Sequence, residues 1–380
     1  MTVTSTAPEI HTELDALRDA MRRLIAREMT PHYADWERAG AIPRELWRTM
    51  GAAGLLCTSI PEAYGGPGAG LAHARVVIEG LADAFVALPG FYTHSEIIAP
   101  YILKYGTEQQ KQTWLPRCVT GDCVLSIAMT EPGAGSDLRG ARTVARRDGD
   151  DYVISGQKTF ITNGLHADLV IVLAGTEGMS PGRKSLFLVE TNRSGFSRGR
   201  VLDKLGQRAQ DTVELFFDET RIPATNLLGV EGEGLGYLMA QLPRERLFVG
   251  MSAIAGAEAA FREALAYTNT RHAFGQPISQ FQHLRFRLAE LKTKITVARA
   301  FLDQCIARFE AGQLSVDEAA MCKYWITDVE AEVLDQCVQM HGGYGFMRDY
   351  PVARAYADAR GQRIYAGTNE IMKEIIARNL

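Results

Sequence analysis

The chain has no complete Gly-x-Gly-x-x-Gly. Gly133-Ala-Gly135 and Gly232-Glu-Gly234 each begin one, but the sixth positions are Leu138 and Tyr237. A Walker sequence is absent too. A flavin or nucleotide would therefore bind outside a Rossmann fold, whose first turn uses those glycines to bring backbone against a pyrophosphate. Long apolar runs are also missing: Val170-Ile-Val-Leu-Ala174 is far too short to span a bilayer, so no membrane insertion is expected. The net charge of −4 offers no electrostatic case for nucleic acid. Cysteine is sparse, with six residues scattered along the chain. Cys118 and Cys123 are close, but no second pair or nearby histidine completes a metal site, so no metal is expected. Reduced thiols in a cytoplasmic protein are the default reading. Glu9, Glu13 and Asp15 stand early and no apolar h-region accompanies them, so no signal or transit peptide is expected. Without a secretory signal the glycosylation pattern Asn192-Arg-Ser194 carries no meaning. Gly-x-Ser-x-Gly occurs at 178–182 and 195–199. A nucleophile elbow needs a strand before its serine and a helix after it. Ser180 precedes Pro181 and a β-type run, and no helix follows Ser197, so a serine hydrolase is disfavoured.

Hydrophobic residues make up 46% of the 380 and charged residues 23%, ordinary for a globular protein large enough for two or three domains. Apolar positions Ile10, Leu14, Leu17, Met21 and Leu24 predict a helix over residues 10 to about 30. Trp36 to Met50 reads as a second helix, and Pro61-Glu-Ala-Tyr-Gly-Gly-Pro-Gly68 as a loop. Helical patterning then runs to about Cys118. After residue 123 the texture changes. Tyr152-Val-Ile-Ser155, Leu169-Val-Ile-Val-Leu173, Ser185-Leu-Phe-Leu-Val-Glu190 and Val213-Glu-Leu-Phe-Phe217 are short β-type runs with no helices between them. They predict a small antiparallel sandwich or barrel. From about Gly234 the chain is helical again. Leu284, Leu288, Leu291, Ile295, Ala298, Leu302, Cys305 and Phe309 form an apolar stripe at bundle spacing, read as core or subunit interface. The expected fold class is α+β multidomain: an all-α domain at 1–122, a small antiparallel β domain at 123–230 and a four-helix-bundle domain at 231–380.

Ile127-Ala-Met-Thr-Glu-Pro-Gly-Ala-Gly-Ser-Asp137 follows the apolar run Cys123-Val-Leu-Ser-Ile127, which places it at a strand end. Thr130 and Ser136 bring hydroxyls. Gly133 and Gly135 allow a sharp turn whose exposed N–H groups make a concave anion site. This segment resembles the first signature of the acyl-CoA dehydrogenase family. Pro61-Glu-Ala-Tyr-Gly-Gly66, Lys158-Thr-Phe-Ile-Thr-Asn-Gly164, Arg271-His-Ala-Phe-Gly275 with Gln282, Gln339-Met-His-Gly-Gly343 and Tyr365-Ala-Gly-Thr-Asn-Glu370 resemble further family segments, in family order. Leu242-Pro-Arg-Glu-Arg-Leu247 and Gly367-Thr-Asn-Glu-Ile-Met-Lys-Glu374 are most similar to the long-chain members.

The resemblance implies a helical, β, helical three-domain fold, one FAD per subunit and a homo-oligomer, usually a tetramer. It implies FAD contacts from Met129, Thr130, Gly135, Ser136, Phe160 and Thr162. Arg271 of a neighbouring subunit would meet the pyrophosphate, where a permanent planar cation suits phosphate oxygens. Phe274, Gln282, Gln339 and Gly343 would contact the cofactor as well, the last three on the adenosine side. Thr368 and Glu370 would close the site. His341 is read as part of a polar helix end before a glycine stop. Substrate contacts would come from Ser136, Arg246, Ala366 and Gly367. Where the family often has Trp, Phe160 keeps the aromatic face but lacks the N–H.

The implied reaction removes a Cα proton from a saturated acyl-CoA and passes a Cβ hydride to the flavin, giving a trans-2-enoyl-CoA. Such weak carbon acids need a positioned carboxylate. Many members carry a glutamate where this chain has Ala366, which cannot accept a proton. Either the protein is inactive or the base comes from elsewhere, and Glu245-Arg-Leu247 resembles the base segment of isovaleryl- and long-chain-type members. The Ala366 N–H could still polarise the thioester carbonyl. An electron-transfer flavoprotein is the implied acceptor. Open alternatives are a flavin oxidase or monooxygenase on the same fold, a dehydrogenase of carrier-protein thioesters, and a non-catalytic binding protein.

Overall fold

The computed structural model describes residues 7–180 and 182–380. The side chain of Ile10 and all of Pro181 lie outside the described residues. Helix α1 (Ala7–Leu24) buries Leu14, Met21 and Leu24 on one face, as the spacing requires, and continues into a π-turn at Ile25–Met29. The single helix expected over 36–50 is two, α2 (Tyr33–Ala39) and α3 (Glu45–Ala52). Gly40 takes a left-handed φ of 79° and caps α2 through its N–H to Trp36 O, and Pro43 follows, a stop signal within an otherwise helical pattern. Helix α4 (Leu71–Asp83) leads to α5 (Gly90–Tyr92). A π-turn at Thr93–Ile98 joins α5 to α6 (Ala99–Tyr105), and α7 (Glu108–Val119) closes the first helical layer. The 61–68 segment is a loop holding one 3-10 turn, Glu62–Tyr64.

A single eight-stranded sheet follows: β1 (Leu125–Ala128), β2 (Val144–Asp148), β3 (Asp151–Thr162), β4 (Leu169–Thr176), β5 (Lys184–Glu190), β6 (Phe196–Val201), β7 (Thr212–Pro223) and β8 (Leu227–Leu228). Its order is β6-β7-β3-β2-β4-β5-β8, with β1 beside β4. Most pairings are antiparallel, but β4 runs parallel to β1 and to β2, which makes the sheet mixed. The four apolar runs seen in the sequence fall in β3, β4, β5 and β7. Strands β2 (Val-Ala-Arg-Arg-Asp) and β6 (Phe-Ser-Arg-Gly-Arg-Val) are mostly turned to solvent and have no apolar run to mark them.

Strand β4 explains how the domains join. Val170 and Val172 pack into a core on one face of the sheet with Phe187 and Val189 of β5. Leu169, Ile171 and Leu173 pack through the other face into the core shared with the helices. A strand buried on both faces reads as an unbroken apolar run.

The last part holds α8 (Gly234–Thr270), a short ladder of β9 (His272–Ala273) and β10 (Gln276–Pro277), then α9 (Gln282–Glu310), α10 (Val316–His341), α11 (Pro351–Ala359) and α12 (Asn369–Ala377). Helices α8, α9 and α10 pack on one another, and α12 packs on α10. The α9 stripe from Leu288 to Cys305 is fully buried core, with Leu284 and Phe309 half-buried at its ends. Among the described residues no helix is long and apolar enough to cross a membrane.

Candidate active site

Helix α8 carries Glu245 in its fourth turn, two residues beyond Pro243. Only 5% of Glu245 is exposed. Its neighbours in sequence do not neutralise it by contact. The Arg244 guanidinium turns to Glu96, at 2.7 Å, and to the Ser59 hydroxyl. Arg246 is 2% exposed, with Nε and Nη1 making no hydrogen bond. Among the described residues the one hydrogen bond to the Glu245 carboxylate comes from the Tyr101 hydroxyl of α6, 2.7 Å from Oε1. Burial pushes the carboxyl pKa up to about 7, against the smaller opposing pulls of Tyr101 and Arg246. A carboxyl that titrates near neutrality suits general-base work.

Ala366 and Gly367 sit in a turn before α12, both with positive φ, 53° and 88°. The backbone bonds of this turn run from Ile364 and Tyr365 N–H to Gly361 O, and none uses the Ala366 N–H. The Gly367 carbonyl accepts from Lys323 Nζ at 2.7 Å, and Asn369 accepts from the same ammonium at 2.8 Å. Lys323 is fully buried, and burial and then the nearby Arg246 charge lower its pKa to about 7. That proximity brings the 366–367 turn beside the Glu245–Arg246 segment. Thr368 caps α12 by accepting from Ile371 N–H, and Glu370 is exposed in the first turn.

After β1, residues 132–137 form the Gly-rich loop. Pro132, Gly133, Gly135, Ser136 and Asp137 are exposed, and its backbone pairing is between Glu131 and Ala134, so among the described residues the Gly135 and Ser136 N–H groups have no backbone partner. A Cβ added at Gly133 or Gly135 would meet nothing within 4 Å, so these glycines leave open space. Under the loop Glu131 binds Lys158 Nζ at 2.8 Å and the N–H groups of Arg142 and Thr143 at 2.6 and 2.9 Å. Lys158 also donates to Met129 O, and Thr159 N–H to Thr130 O, so β3 is fastened to the start of the loop. This presents Phe160, 68% exposed with a left-handed φ of 60°, beside Thr130 and Thr162.

Arg271, Gln339 and Gly343 line a separate cavity of about 510 Å³ with Tyr267, His341 and Tyr344. The Arg271 guanidinium lies over the Tyr344 ring and has no ion pair among the described residues. His341 is buried, stacked on Tyr267, with Nδ1 at Cys337 O, a packed helix end as expected. Phe274 (96% exposed) stands nearby in sequence, and exposed Gln282 opens α9. At 1.5 Å per residue this group lies about 37 Å along α8 from Glu245. The expected site residues therefore fall into two sets in one chain. Met129, Thr130, Gly135 and Ser136 of the Gly-rich segment, Phe160 and Thr162 of β3, Glu245 and Arg246 within α8, and Ala366, Gly367, Thr368 and Glu370 at the start of α12 form one set, and Arg271, Phe274, Gln282, Gln339 and Gly343, around the far end of α8, the other.

The three family patterns described as acyl-CoA dehydrogenase N-terminal, middle and C-terminal domain match residues 11–122, 126–220 and 232–380. The chain belongs to the acyl-CoA dehydrogenase family. It is 48% identical over 371 residues to the long-chain specific acyl-CoA dehydrogenase of Sus scrofa mitochondria, covering 97% of this chain and 86% of that protein. An acyl-CoA dehydrogenase of Geobacillus kaustophilus has the same fold, with a TM-score of 0.95 at 47% identity over 100% and 99% of the two chains. The acyl-CoA dehydrogenase of Bacillus anthracis complexed with FAD aligns with a TM-score of 0.91 at 30% identity, over 99% of this chain and 68% of that one. This acyl-CoA dehydrogenase is thus a flavoprotein oxidoreductase with FAD as cofactor. Its residues fit that group: an exposed aromatic at Phe160, free loop N–H groups at Gly135 and Ser136, and an unpaired Arg271 beside open space at Gly343.

Sequence reasoning did not find Tyr101, Lys323 or the Glu131–Lys158 pair. Glu131 and Lys158 did stand inside the family segments, and a lone charge beside an apolar run is the signal that could have raised them. Tyr101 and Lys323 touch the site from distant parts of the chain, and nothing local marks them.

Proposed function

We propose that this enzyme converts a saturated acyl-CoA to its trans-2-enoyl-CoA, with Glu245 as the base that takes the Cα proton. Bound FAD supplies the acceptor for the Cβ hydride, at N5 of its flavin. The observation that carries this reading is the buried Glu245 carboxyl, with a pKa of about 7, in a chain whose other family base position is Ala366. Tyr101 holds the carboxylate in one orientation through its hydroxyl. The Ala366 N–H, free of backbone partners, is placed to donate to the thioester oxygen, which acidifies Cα without any side chain. Lys323 fixes that turn by binding Gly367 O. Phe160, Thr130 and Thr162 would bound the flavin face, and the Gly135 and Ser136 N–H groups its phosphates or those of CoA.

The end of α8 that leads to Arg271 lies about 37 Å along the helix from Glu245. In this reading a second copy of the chain supplies its own Arg271, Gln282, Gln339 and Gly343 to the adenosine end, within a homotetramer. An electron-transfer flavoprotein reoxidises the enzyme. The test is an anaerobic titration of the yellow protein with saturated acyl-CoAs. The wild type bleaches, and Glu245→Gln keeps its flavin spectrum but does not. A variant that bleaches at the wild-type rate would overturn the assignment of the base.

A further inference from the structure

Glu245, Phe248, Ser252 and Gly256 are spaced by three, four and four residues, so they share one face of α8. The first is the proposed base. The Phe248 ring stacks on Tyr92 at 6.3 Å, and Ser252, Gly256 and Tyr92 line a cavity of about 80 Å³. The cavity therefore lies deeper on the same stripe, roughly 10 to 16 Å along the helix from Glu245. Its walls include the apolar side chains of Ile78, Leu81 and Leu334.

The floor is of another kind. Glu330 of α10 is 2% exposed, and Oε1 accepts from Gln362 Nε2 at 2.9 Å. Glu330 Oε2 and Gln362 Oε1, both buried, have no hydrogen-bond partner among the described residues. Burial, and then the charge of Asp358, raise the Glu330 carboxyl well above its ordinary range, which favours its protonated form. In that form, with Oε1 accepting from Gln362, a proton on Oε2 is a donor lacking an acceptor, while Gln362 Oε1 is an acceptor lacking a donor. Gly256 keeps this arrangement possible, since a Cβ there would meet Glu330 Oε1 at 2.7 Å. Buried polar groups left unmatched are costly, and one hydroxyl, which both donates and accepts, would satisfy the two at once.

We infer that this cavity receives the distal end of the acyl chain, and that Glu330 and Gln362 favour a chain ending in a hydroxyl over its plain alkyl counterpart. The inference rests on Glu245 being the site of chemistry, because that fixes which end of the chain enters.

The test compares kcat/KM of the holoenzyme for matched pairs of alkyl- and ω-hydroxyacyl-CoAs, from octanoyl through dodecanoyl to hexadecanoyl. At the chain length that reaches the floor, the hydroxy substrate is favoured by about tenfold, the worth of one hydrogen-bonded pair. At shorter lengths the preference vanishes. Glu330→Leu removes the preference at every length, whereas Glu330→Gln, which keeps a donor, retains part of it. Flavin absorbance and thermal melting establish that each variant is folded. The wild-type series decides by itself if Glu330→Leu does not fold. A wild type that prefers the alkyl chain at every length, or shows no preference anywhere, overturns the inference, as it would if a water alone satisfied the floor. Failure to bleach with any acyl-CoA would instead overturn the proposed reaction.

Discussion

Glu131 and Glu245 are both glutamates with under a tenth of their surface exposed, and their acidities differ widely. Glu131 lies near 2, and Glu245 near 7. Burial raises both. At Glu131 it is outweighed by the Lys158 ammonium and the backbone N–H groups of Arg142 and Thr143. At Glu245 the opposing groups are one phenol and an arginine that forms no ion pair with it among the described residues. The lesson is that depth alone does not set acidity; the donors that accompany the carboxylate do. Glu131 is kept charged to pin β3 to the Gly-rich loop, and Glu245 is kept poised to gain and lose a proton.

The comparison breaks most visibly at Glu245. Glu245→Gln should lower kcat/KM by about 10³- to 10⁴-fold with the flavin spectrum unchanged, measured by steady-state dehydrogenation. At the other carboxylate the loss should be of stability. Lys158→Met strands a buried charge and should cost about 3–5 kcal/mol in urea denaturation. Adding Glu131→Gln should recover part of that, because the pair contributes little net: burial lowers the Lys158 ammonium to about 8 despite its partner.

Titration gives opposite signs at the two sites. Glu245 has a folded pKa near 7 against an ordinary 4.5, so the fold binds the proton and loses stability as pH rises from about 4.5 to about 7. Ionised Glu245 then costs on the order of 3 kcal/mol, and Glu245→Gln should melt higher than wild type at pH 8 but not at pH 4. Glu131, with its folded pKa depressed, contributes stability above its ordinary value, and that is lost as pH falls toward about 2. The smallest effect sharpens the contrast. Tyr101→Phe removes the Tyr101 hydrogen bond to Glu245, which should move the acid limb of the kcat/KM profile up by about one pH unit from near 7.

Much of the architecture was legible because it depends on periodicity. Leu288, Leu291, Ile295, Ala298, Leu302 and Cys305 repeat at helix spacing and are core. The four strands rich in Val, Ile, Leu and Phe were legible for the same reason. Strands β2 and β6 were not: β6 is an edge of the sheet, and β2, paired on both sides, has all but one residue exposed, so neither carries an apolar alternation. The break at Gly40 was passed over, although a glycine three residues before a proline is a stop signal.

The sequence alone determined the order of the helical and β parts, the family, and the substitution that leaves Ala366 unable to serve as a base. Those depend on residue type and spacing along one chain. Only the tertiary structure decided that Glu245 is buried against Tyr101, that Arg244 turns away to Glu96, that Lys323 holds the Gly367 turn, and that a polar floor at Glu330 and Gln362 closes a cavity on the same helix face. Acidity, burial and unmet hydrogen-bonding capacity belong to neighbours brought together from distant segments, and no local pattern encodes them.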